Sequence, residues 1–165
     1  EIGSSTRGGA LSDFLASTLR RITLSLRMDE EEHLMAAASS CMLSADNGHA
    51  VHPNYAEKAD VTSKPRLNGG VLLKYSGNGK YATDGKSGSL VRALMDDNGI
   101  PYQAFANNSD IPGGSTLGNL SMQGISIETA DVGMAQLAMH SPYESAGAQD
   151  PKALKALFKA FFERE

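Results

Sequence analysis

Tryptophan is absent from this 165-residue chain, cysteine occurs once, at Cys41, and no apolar run is long enough to span a bilayer. Each shortage excludes something. A lone cysteine cannot close an internal disulfide, so the sequence fits a reducing compartment and a cytoplasmic location is expected. Without about 20 consecutive apolar residues no transmembrane helix is expected, and no signal-peptide pattern opens the chain. Positive charge is scarce as well. Fifteen Lys and Arg stand against 19 Asp and Glu, a formal net charge of −4. A nucleic-acid partner usually needs a basic face, so none is expected. Internal repeats and low-complexity segments are missing too. The opening Glu1-Ile2-Gly3-Ser4-Ser5 has no methionine and reads as the interior of a domain. Residues 1–165 are therefore expected to be the C-terminal part of a longer protein.

What is present fits a single domain with a real core: 41% hydrophobic and 21% charged residues. Leu11, Phe14, Leu15, Leu19 and Ile22 share one face of an amphipathic helix running from about Gly9 to Leu26. The acidic run Asp29–Glu32 reads as the solvated start of a second helix rather than as a metal cluster. Apolar runs at Ser40–Ala45, Val71–Tyr75 and Tyr102–Ala106 read as strands. Gly77-Asn78-Gly79 reads as a turn, with Tyr81–Thr83 as the return strand. Ile125–Asp131 alternates with period two and is expected to be a strand with one wetter face. Leu90, Val91, Leu94 and Met95 mark a helix ended by Asn98-Gly99. Asp150 as N-cap and Pro151 in the first turn open a last helix striped with Leu154, Leu157, Phe158, Phe161 and Phe162. Strands alternating with helices predict an α/β fold, a mixed sheet between helical layers.

Chemistry-bearing residues gather in two distant segments, Ser44–Tyr55 and Gln136–Glu144. Asp46 follows a strand and precedes Asn47-Gly48, a position that suits a turn residue as well as a ligand. His49 and His52 lie within the next few residues. Ser141-Pro142-Tyr143-Glu144 matches a capping box, which would make Ser141 an N-cap and hold His140 just outside a helix. From local pattern, a ligand role and simple packing at that position are equally good readings of His140. Gly79–Ser87 has five residues between its glycines where a phosphate loop needs four, so nucleotide binding is disfavoured. Gly113-Gly114-Ser115-Thr116 reads as an anion-binding turn or a plain one. No serine or cysteine sits in a nucleophile motif.

The segments Ser44–Tyr55 and Leu137–Ser141 resemble the aspartyl aminopeptidase family of dinuclear zinc exopeptidases. So do Glu1–Ser4, Leu19–Ile22, Ser109–Gly118 and Leu157–Glu163, which carry the likeness nearly end to end. The resemblance implies a three-layer zinc-exopeptidase domain with two zinc ions per site. By position it implies Asp46, His140 and Glu1 as zinc ligands, and His49, Lys74 and Tyr81 as contacts to a peptide substrate. The family's general base would sit just before Glu1, and its first metal histidine and bridging aspartate further upstream. In such a site two zincs share an activated water that attacks the peptide carbonyl. Gly113 stands where many relatives carry cysteine, and Asn108 where many have arginine. These departures bear on a preference for N-terminal Asp or Glu rather than on metal binding.

The expected activity is therefore metal-dependent removal of N-terminal residues from peptides by a large homo-oligomer. Residues 1–165 alone hold too few ligands for two zincs and are expected to be inactive. The competing readings are a non-catalytic relative serving as an assembly module, and nucleotide binding through Gly79–Ser87.

Overall fold

Alternation along two central strands decides the architecture. In the computed structural model, which describes residues 3–164, Val71–Lys74 (β3) and Glu128–Gly133 (β5) pair antiparallel, with Leu73 opposite Val132. Cys41–Ala45 (β1) runs parallel to β5 on one side, and Tyr102–Phe105 (β4) runs parallel to β3 on the other. The strand order is β1-β5-β3-β4. Successive side chains of a strand face opposite ways. Val71, Leu73, Ala130 and Val132 meet Val91 and Met95 of Gly85–Asp97 (α3) and Leu157 of Asp150–Glu163 (α5). Leu72 turns the other way and packs with Ala50, Tyr81, Phe105 and Ala135.

A smaller sheet continues from the ends of these strands. Gly48–His49 (β2) runs parallel to Ala135–Leu137 (β6), which pairs antiparallel with Ser145–Ala146 (β7). The two parallel pairings form one ladder with a kink. The Asp46 N–H donates to the Val132 carbonyl at 2.8 Å, Gly48 to Met134 at 3.0 Å and Ala50 to Gln136 at 2.9 Å. Any side chain at Gly133 would run into the Asp46 carbonyl, so the close approach needs glycine. Asn47 locks the kink: its Oδ1 accepts from Met134 N at 3.1 Å and its Nδ2 donates to Gln136 Oε1 at 2.8 Å.

Phe14–Ser25 (α1) and Glu30–Ala38 (α2) form the N-terminal pair, and Leu117–Ser121 (α4) is a short helix beside β1. The acidic run opens α2 as expected, with Asp29 and Glu32 closing a capping box. Helix α1 begins later than its periodicity suggests, because residues 9–12 are occupied by turns. None of its residues is buried: Phe14 is 66% and Leu24 54% exposed.

Four further expectations are corrected. Tyr81–Thr83 is not a return strand, since β3 is flanked by β4 and β5 and has no free edge for a hairpin. Strand β5 has no wetter face: Thr129 and Asp131 are as buried as Ala130 and Val132, because the strand is central and covered on both sides. Asp150 is not an N-cap but the first residue of α5, and it is fully buried. Its carboxylate accepts from the Asn68 N–H at 2.8 Å and the Gly70 N–H at 2.9 Å, stapling the turn before β3. Finally, Ser141–Glu144 opens no helix. The antiparallel pairing of β6 with β7 makes 138–144 a loop, and both bonds of the expected box are displaced by one residue. Ser141 Oγ accepts from Tyr143 N at 3.0 Å, and Glu144 Oε1 accepts from His140 N at 2.5 Å.

Candidate functional site

The kink that carries Asp46 out of β1 opens a cleft of about 540 Å³ on the sheet face opposite α3 and α5. Asp46, His49, Lys74, Tyr81 and His140 all line it. Glu1 lies outside the described residues. Each side chain arrives on a different element: Asp46 just past β1, His49 on β2, Lys74 at the end of β3, His140 in the β6–β7 loop. Both Ala138 (φ 53°) and His140 (φ 68°) take left-handed backbone to make that loop.

Lys74 is 2% exposed and points the way Leu72 does, away from the apolar core. Its ammonium donates to the backbone carbonyls of Asp46 (3.3 Å) and Asn47 (3.1 Å) and lies 4.5 Å over the Tyr81 ring. Burial pushes the Lys74 pKa below its ordinary value, and the negative charges of Asp46 and Asp131 push it back in part. Burial also lowers the pKa of His49, helped by the positive charges of His140 and Lys74. The Tyr81 phenol is pushed up, chiefly by burial. Its oxygen accepts from Asn107 Nδ2 at 2.6 Å, which leaves its own proton free to donate toward the cleft.

The outer wall is knitted to the end of β4. Asn108 Nδ2 donates to the carbonyls of Glu57 (3.2 Å) and Ala59 (3.3 Å). Ser63 Oγ donates to Ala104 O at 3.0 Å and accepts from Ala106 N at 3.1 Å. Asp60 is fixed by N–H and O–H donors from Thr62 and Ser63, which hold its carboxyl down at about 2. Asn108, a departure from the resembled family, thus has a structural task.

The donor chemistry of Asp46 and His140, an oxygen and a nitrogen, suits zinc. The number falls short. Among the described residues no group of three His, Cys, Asp or Glu side chains gathers closely enough to hold a metal ion. Two features were invisible in the sequence. Asp131 is a wholly buried carboxylate on the cleft side of β5, and Asn107 is the partner of Tyr81. Neither has a local signal, because both acquire their neighbours only through strand pairing. In the Gly79–Ser87 segment the Lys86 and Ser87 amides already donate to Asp84 Oδ1, both at 2.8 Å. Asp84 caps α3, and Lys86 Nζ pairs with Glu128 Oε2 at 2.9 Å.

Comparison with known proteins narrows the reading. The family model described as "Aminopeptidase I zinc metalloprotease (M18)" matches residues 1–162. The chain is 42% identical over 162 residues to "Probable M18 family aminopeptidase 2" of Clostridium novyi (strain NT), covering 98% of this chain and 37% of that protein. It is 40% identical over 163 residues to the protein of the same name in Streptomyces coelicolor, covering 99% and 38%. Among solved structures it matches the cryo-EM structure of the Ape4 and Nbr1 complex, with a TM-score of 0.92 and 34% identity over 98% of this chain and 30% of that one. The S. cerevisiae mApe1 dodecamer matches with a TM-score of 0.83 and 32% identity over 99% and 36%. The chain thus spans somewhat more than a third of the length of the curated relatives it matches.

Proposed function

The chain belongs to the M18 family of zinc metallo-aminopeptidases, and we propose that residues 1–165 are the C-terminal portion of such an enzyme's catalytic domain. In this reading Asp46 and His140 ligate zinc, with Glu1 as a further ligand, and His49, Lys74 and Tyr81 contact the peptide. The remaining donors for a two-zinc site come from outside the described residues. The observation that supports it best is the convergence of Asp46, His49, Lys74, Tyr81 and His140, far apart in sequence, on one cleft.

Zinc bound there would supply Lewis acidity and an activated water. The chain's own residues do the rest. Lys74 spends two of its three N–H bonds on the carbonyls of Asp46 and Asn47 and keeps one for a substrate oxygen. The raised pKa of Tyr81 keeps its hydroxyl a donor at neutral pH. The lowered pKa of His49 favours a neutral imidazole with one accepting nitrogen. Together they form a polar wall that orients a peptide across the cleft, with Asp or Glu as the candidate N-terminal residues. Self-association into a large homo-oligomer is part of the proposal, by likeness to the mApe1 dodecamer.

The test uses the open reading frame that contains this sequence. Metal content and hydrolysis of Asp-, Glu- and Leu-linked chromogenic substrates are measured with Asp46→Ala and His140→Ala. Each variant is expected to lose bound zinc and at least ~100-fold in kcat/KM. Full zinc retention by both would overturn the ligand assignment. The isolated 165-residue polypeptide is expected to show no turnover.

A further inference from the structure

The carboxylate of Asp131 is wholly buried, yet only half of it is satisfied. Its Oδ2 accepts from the Ala82 N–H at 2.5 Å, while its Oδ1 has no hydrogen-bond partner. A half-paired carboxylate in the interior is costly. Its surroundings indicate a use. The Ala82 N–H belongs to the peptide unit that directly follows Tyr81. Thr83 adds a second tie, its Oγ1 accepting from the Asp131 N–H at 2.8 Å. On the other side of Tyr81, the Thr116 N–H donates to the Lys80 carbonyl at 3.3 Å. Tyr81 has no helix or strand of its own to hold it. These ties place its ring beneath the Lys74 ammonium and its oxygen on Asn107.

We propose that Asp131 is a positioning residue: through the Ala82 amide it holds Tyr81 against Lys74, so that the two present their donors to the substrate as a unit. This rests on Tyr81 being a substrate contact, and the experiment separates the two ideas. Four variants are made in the complete open reading frame: Tyr81→Phe, Asp131→Leu, Asp131→Asn and the double variant Tyr81→Phe/Asp131→Leu. Asp131→Leu removes the acceptor and is expected to raise KM roughly tenfold, with kcat changed less. Asp131→Asn keeps an acceptor oxygen and should restore KM to within about threefold. The double variant should be no worse than the poorer single one, because both act through Tyr81. Hydrogen exchange at the Ala82 amide, slow in the parent and in Asp131→Asn, should become fast in Asp131→Leu. Should Asp131→Leu fail to fold, Asp131→Ala removes the same acceptor without adding bulk and is expected to give the same KM rise.

If Tyr81→Phe leaves KM unchanged, the reading of the site fails. If Tyr81→Phe raises KM but Asp131→Leu does not, or the two losses add, the positioning role is overturned. A fall in kcat and thermal stability without a KM change likewise assigns Asp131 to the scaffold alone.

Discussion

The two faces of the four-stranded sheet share the same strands and differ in polarity: one is wholly apolar, the other mixes Leu72 with buried polar groups. Toward α3 and α5, Val71, Leu73, Ala130 and Val132 are sealed under Val91, Met95 and Leu157. Toward the cleft, the neighbouring positions along the same strands are Leu72, Lys74, Thr129 and Asp131, each 2% exposed or less. Burial is equal on the two sides, so water exclusion alone does not distinguish them. The apolar face gains free energy from its burial. The cleft face places an ammonium and a carboxylate in a poorly hydrated setting, a loss for folding that suits a binding site. Alternation in β3 and β5 therefore seals one register with apolar side chains alone, while the other sets Leu72 among buried polar groups.

Substitutions that treat the faces alike should separate them. The largest effect is expected from Leu157→Ala, which leaves a cavity beneath Val71 and Leu73 and should cost ~2–5 kcal/mol of unfolding free energy. Tyrosine emission during denaturation reports it, because the chain has no tryptophan. On the cleft face, Lys74→Met should stay within about 1 kcal/mol of the parent near neutral pH, since relief of a desolvated charge offsets two lost hydrogen bonds. The sign of its pH dependence is fixed. The folded pKa of Lys74 lies below 10.5, so the parent gains stability as pH rises toward 10.5, and the balance shifts against the variant. A denaturation series across that range checks the slope. Smallest is Asp60→Asn at the cleft rim. Its carboxyl is held at about 2 against an ordinary 3.8, so the parent loses stability as pH falls through that interval and the variant should show a flatter acid limb.

Much of this arrangement was legible in the residues. Runs such as Val71–Lys74 and the stripe through Leu154 and Leu157 carry period and composition, and both became the expected elements. Misreadings occurred where a local pattern met a stronger tertiary demand. Ser141–Glu144 has the sequence of a helix start, yet pairing of Leu137 with Ser145 closes the loop first. Asp150-Pro151 does begin a helix, but the aspartate serves the turn at Asn68–Gly70 instead. Asp46, His49 and His140, which line the cleft, could be picked out because their neighbours form distinctive segments. Asp131 carries no such mark. Its task exists only once β5 lies beside the Tyr81 segment.

The left-handed residues flanking Met139 carry a consequence of their own. For a non-glycine residue this backbone costs about 1–2 kcal/mol, and Ala138 and His140 each bear that cost at the edge of the cleft. Glycine at 138 should raise the melting temperature while widening the range of directions the imidazole samples. If His140 ligates zinc as proposed, heat tolerance and metal affinity would then favour different residues at position 138.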